Sequence, residues 1–135
     1  HSSTMQRHHQ AYNQTATMVT GDPREFDASI LLKAASRFQR LRDNWEDHDR
    51  RELSDALLYN RKIWTVYATS AAEMDHPLPR EIKQNIANLA IFIFNRTLEI
   101  HAKPEARLLD VLININRQIA AGLLQKPLQP LAEAS

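Results

Sequence analysis

Six prolines, at positions 23, 77, 79, 104, 127 and 130, divide a chain of 135 residues whose only glycines are Gly21 and Gly122. Proline locks φ and lacks a backbone donor, so it halts a helix internally yet suits its first turn. Between these breaks the apolar residues recur mostly every three or four positions, and no Asn-Gly or Asp-Gly pair marks a hairpin. The expected fold class is all-α: a compact bundle of four main helices, with a short extra helix over Gln10 to Val19 as an option.

The sequence Asp22-Pro23-Arg24-Glu25 predicts a helix start, with Asp22 as cap and Pro23 in the first turn. Phe26, Ile30, Ala34, Phe38, Leu41 and Trp45 would form its buried stripe, ending near Asn44. The acidic run from Asp43 to Asp49 lacks the glycine and alternating oxygens of a calcium loop, and reads as a solvated connection. A second helix is expected from Arg50 to Ala72, capped by Asp49, with Asp47/Arg51 and Arg51/Asp55 spaced for exposed ion pairs. It carries two stripes: Leu53, Leu57, Trp64, Ala68 and Ala71, and beside them Ala56, Tyr59, Ile63 and Val66.

Asp75 to Pro79 is expected as a turn, with Pro79 opening a third helix. One face of that helix holds Ile82, Ile86, Leu89, Ile93 and Ile100; the adjacent face holds Ala87, Ile91, Phe94 and Leu98. The run Leu89 to Phe94 has a strand-like composition, but helical spacing extends on both sides of it and decides for helix. A fourth helix is expected from Pro104 to about Gly122, burying Leu108, Leu112, Ile115, Ile119 and Leu123, with Leu109, Ile113 and Ala120 alongside. His1 to Thr4 read as a vector remnant and residues 1–9 as a mobile start. Residues 10–125 are expected to form the helical domain, and 126–135 a flexible proline-containing tail.

Lys+Arg 17 against Asp+Glu 16 leaves a net charge of +1, too little to hold a polyanion over many phosphates. Without cysteine there are no disulfides, thiolate zinc sites or cysteine nucleophiles, which fits a reducing cytoplasm. The longest apolar run is six residues, Leu89 to Phe94, far short of the roughly 20 a membrane span needs. No Gly-rich phosphate loop, zinc helix or nucleophile elbow stands out, so no enzyme, metal or cofactor is expected.

Two features point to binding instead. Helices two to four are apolar on two faces, more than a plain bundle needs, which suggests either a central helix or a groove for a partner's amphipathic helix. Asparagines at 60, 85, 88, 95, 114 and 116 sit where they cost helix propensity, so they are expected to form internal networks or to present amides to a partner.

Several strings in register, among them Leu57-Leu58-Tyr59-Asn60-Arg61-Lys62-Ile63-Trp64-Thr65, Gln84-Asn85-Ile86-Ala87-Asn88-Leu89 and Leu112-Ile113-Asn114-Ile115-Asn116-Arg117-Gln118-Ile119, resemble the flagellar biosynthesis regulator FlaF family. The resemblance runs from about Gln10 to Leu123. It implies a non-enzymatic, cytoplasmic bacterial protein that binds flagellin as a chaperone-like partner and supports its synthesis and export. The alternative it allows is post-transcriptional action on flagellin mRNA, directly or through FlbT. Direct RNA binding has only the bias of 12 Arg to 5 Lys in its favour. A homo-oligomer would be another way to cover the apolar faces.

The partner-binding candidates are Tyr59, Asn60, Arg61 and Trp64, where one turn combines aromatic area with directional donors. Asn85, Asn88, Asn114, Asn116 and Arg117 join them on family strings and helical spacing.

Overall fold

A computed structural model describes residues 23–73 and 79–125. The expected Asp22 cap, the turn before Pro79, the helix over Gln10 to Val19 and both chain ends lie outside those residues. Among the described residues there are four α-helices and no strand: α1 (Pro23–Asp43), α2 (Arg50–Ala72), α3 (Arg80–Ala102) and α4 (Asp110–Leu124). Short 3-10 turns, Trp45–Asp47 and Ala106–Leu109, precede α2 and α4.

Local chemistry accounts for most boundaries. Asp49 caps α2 by accepting a 2.8 Å hydrogen bond from the Arg51 amide, and the helix runs over the expected residues. Pro79 sits at the N-cap of α3, and its carbonyl accepts from Lys83 N at 3.0 Å. The acidic run after α1 is a 3-10 turn in which the Trp45 and His48 rings stack with centroids 3.9 Å apart. The fourth helix departs from expectation: Pro104 does not open it, and the chain passes through the Ala106–Leu109 turn before α4 begins at Asp110.

Cross-helix contacts order the bundle. Arg42 near the end of α1 pairs with Asp110 at the start of α4 at 2.6 Å, and Gln39 accepts from Arg117 one step further along, so α1 and α4 run antiparallel. Asp110 also sits at the positive end of the α4 dipole, which favours its charge. On the other side of α1, Lys33 and Arg37 lie over the Tyr59 ring of α2 at 5.8 and 5.2 Å. Asp27, nearer the start of α1, faces Tyr67, nearer the end of α2, so this pair is antiparallel as well. The most extensive packing is α1 on α4, then α2 on α3, then α1 on α2. α3 therefore rests chiefly on α2, at the edge of the bundle.

The core contains Phe38, Leu57, Trp64, Ile93, Ile100, Leu109, Leu112 and Ile113, all essentially without solvent contact. Two expected stripes are displaced. In α1 the deep positions include Ala28, Leu31 and Ala35, while Phe26 and Ile30 are only half-buried. In α4 it is Ile113 and Ala120, not Ile115, Ile119 and Leu123, that reach the interior beside Leu112. Both shifts follow from the neighbour: which of two adjoining apolar rows goes deepest depends on where the facing helix lies.

Candidate functional site

The Tyr59 to Trp64 turn does not form one exposed patch. Trp64 is fully buried, and its indole Nε1 donates to Asn116 Oδ1 at 2.9 Å. Asn116, also fully buried, donates from Nδ2 to Asn60 Oδ1 at 2.7 Å. Trp64, Asn116 and Asn60 thus form a polar chain inside the bundle that ties α2 to α4. Buried amides and indoles need such partners, because an unpaired one costs about 1–3 kcal/mol. The Asn60 amide nitrogen has no hydrogen-bond partner, so the chain is closed at one end only. The expectation that these three meet a partner is corrected: no surface reaches them.

The other candidates lie outside. Arg61 is exposed, and Tyr59 is half-buried beneath Lys33 and Arg37. Burial raises the Tyr59 pKa, with the Arg37 charge opposing it. Asn114 and Arg117 share an exposed face of α4, where Arg117 is engaged by Gln39 of α1. Asn85 and Asn88 are exposed on α3, Asn88 accepting from Gln84 Nε2 at 3.0 Å.

α3 separates its two faces sharply. Ile86, Ala90, Ile93, Thr97 and Ile100 point inward, the Thr97 hydroxyl donating to the Ile93 carbonyl at 2.7 Å. On the far side Asn88, Ile91, Asn95 and Leu98 recur at three and four residues, a single straight row. Ile91 is 58% exposed and Leu98 65%. Phe92, on the flank, is 38% exposed with the Arg96 guanidinium 5.3 Å from its centroid. Arg96 is held in turn by Glu99 at 3.2 Å. Apolar anchors flanked by amides make a surface suited to an amphipathic helix, and this row unites Asn88 with Ile91, Asn95 and Leu98, which the sequence-based candidate set omits. The only sequence signal for it was the second apolar face of helix three.

Concavities lie beside α1 at two places among the described residues. A polar cleft of about 450 Å³ at the end of α1 is lined by Arg37, Arg40, Asn44, Asp47, His48 and Glu52. A smaller apolar groove between α1 and α2 is lined by Asp27, Ile30, Leu31, Tyr59, Ile63 and Val66, among others. Burial raises the Asp27 carboxyl to about 6, and burial with the Asp27 charge takes Tyr67 to about 12. No helix among the described residues is long and apolar enough to cross a membrane.

Against known proteins, a family model for flagellar protein FlaF matches residues 8–123, most of the chain. The chain belongs to the FlaF family. Neither the curated proteins nor the solved structures contain a match. The FlaF match takes in α1 to α3 and α4 as far as residue 123, and it begins fifteen residues before α1, at residue 8.

Proposed function

We propose that this FlaF-family chain is a non-catalytic, cytoplasmic regulator of flagellar biosynthesis that binds flagellin as a chaperone-like partner. The observation that carries the reading is the Asn88, Ile91, Asn95 and Leu98 row, left in solvent on the outermost helix of a flagellar-family domain. Flagellin's ends are amphipathic helical segments that pack only in the filament, so before export their apolar faces need cover. A straight row of two aliphatic side chains with amides between them offers that cover. Burying each aliphatic side chain contributes about 1.5–3 kcal/mol, and the amides can bond polar groups along the edge of the incoming helix.

The test is light scattering on size-exclusion runs of the chain alone, with monomeric flagellin, and with flagellin lacking its terminal helices. The expected result is a defined complex with full-length flagellin that is lost on truncation and on Leu98→Asp. A complex that survives both changes overturns the reading. Absence of any complex at micromolar concentration also overturns it and directs attention to FlbT, the alternative partner.

A further inference from the structure

α3 turns Ile86, Ile93 and Ile100, seven residues apart, into the bundle, with Ala90 and Thr97 beside them. On the opposite side Gln84, Asn88, Ile91, Asn95, Leu98 and Ala102 follow one another at alternating steps of four and three, and all of them are exposed. That spacing is the a/d seam of a coiled coil, with Asn88, Asn95 and Ala102 at a and Gln84, Ile91 and Leu98 at d. From Gln84 to Leu98 the seam runs about 21 Å along the helix.

Charge and amide placement both bear on what covers this seam. From Gln84 to Leu98 every exposed residue of α3 is uncharged, in a chain that is 24% charged. Arg96, half-buried at the flank, is held by Glu99. In a parallel symmetric pair each seam residue meets its own copy, so a charged seam repels itself and a neutral one does not. The amides add direction. Asn88 accepts from Gln84 Nε2 at 3.0 Å and keeps its own nitrogen free, and Asn95 has no side-chain hydrogen bond among the described residues. An asparagine at an a position pairs across the seam with an asparagine at the same level, and so fixes orientation and register. Parallel pairing sets Asn88, Ile91, Asn95 and Leu98 each on its own copy. Antiparallel pairing sets Asn88 against Leu98 and Asn95 against Ile91, which strands the amides among aliphatic side chains. The row is therefore complementary to itself in the parallel orientation.

We propose that a second copy of this chain covers the α3 row, the two α3 helices pairing parallel and in register along Asn88, Ile91, Asn95 and Leu98. The pair uses the row assigned to flagellin, so a second copy and flagellin exclude each other, and that consequence alone rests on the flagellin reading.

The chain has no cysteine, so single introduced ones report the pairing. Gln84→Cys and Ala102→Cys stand at the two ends of the seam and leave its four inner residues in place. Each is expected to form a disulfide with its own copy at least ~tenfold faster than Gln118→Cys, exposed on α4, and faster than the mixed Gln84→Cys and Ala102→Cys disulfide. The mass of the unsubstituted chain in solution is expected to rise from 15.6 kDa towards twice that between about 10 μM and 1 mM, and that of Leu98→Asp to stay at 15.6 kDa. A constant mass over that range, self-disulfides no faster than that of Gln118→Cys, a preferred mixed disulfide, or a rise in mass indifferent to Leu98→Asp would each overturn the proposal. Flagellin takes no part in these measurements, so they judge the pairing by itself. The disulfide-locked Gln84→Cys pair is then expected to bind flagellin at least ~tenfold more weakly than its reduced form. Equal binding by both forms would overturn the exclusion, and binding by neither would overturn the flagellin reading and leave the pairing standing.

Discussion

The α2/α4 junction and the outer face of α3 are made of the same materials, aliphatic or aromatic side chains interleaved with asparagine, and the bundle uses them in opposite ways. At the junction, Asn116 accepts from Trp64 and donates to Asn60 with no solvent near any of the three. On α3, Asn88 and Asn95 stand in water beside Ile91 and Leu98. An amide in a low-dielectric interior is a constraint, since it fixes which helix faces which; the same amide on a rim is a free donor and acceptor. Residue type alone therefore does not separate a structural asparagine from a binding one, and burial does.

Removing the interior members should show the contrast most strongly. Trp64→Ala is expected to lower unfolding free energy by ~3–5 kcal/mol, measured by urea denaturation, through lost burial and a stranded Asn116 oxygen. Asn116→Leu should cost ~1–3 kcal/mol in the same assay, because it strands both the indole N–H and the Asn60 oxygen. On the opposite side of the comparison, Leu98→Asp should change stability by less than ~0.5 kcal/mol while weakening flagellin binding at least ~tenfold, about 1.4 kcal/mol. A stability loss at Leu98 matching that at Trp64 would erase the distinction between the two regions.

The smallest effect belongs to the α1/α2 groove, which is intermediate between them. Burial raises Asp27 from 3.8 to about 6, so between those values the folded state binds more protons than the unfolded one. Its contribution favours the fold below pH 3.8 and is lost as pH rises through about 6. Asp27→Asn should remove that part of the downward slope, read as a flatter dependence of the denaturation midpoint on pH in this window.

Legibility tracked the range of the interaction. The α2 helix was readable to both ends because Asp49 and its own periodicity lie within the segment, and α3 began where Pro79 required. The start of α4 was missed because Pro104 is a permissive signal, and the Ala106–Leu109 turn that follows it is held by packing of Leu108 and Leu109 into the core. Trp64 and Asn60 looked like an interface because aromatic area beside amides marks hot spots. Their partner, Asn116, lies 56 residues from Asn60 and 52 from Trp64, and no local pattern connects them.

By itself the sequence determined four helices, their approximate breaks, the excess of apolar faces and the family, since each of these depends on residues near one another or on a string read in order. Only the tertiary structure decided which apolar row was spent on the core. α1 packs against α4 and α2, and α2 against α3 and α1 with the Trp64–Asn116–Asn60 chain joining it to α4, whereas α3 rests chiefly on α2, so the second face of α3 meets water. Burial is a property of pairs of segments distant in the chain, and the difference between a core stripe and a binding surface exists only once those segments have met.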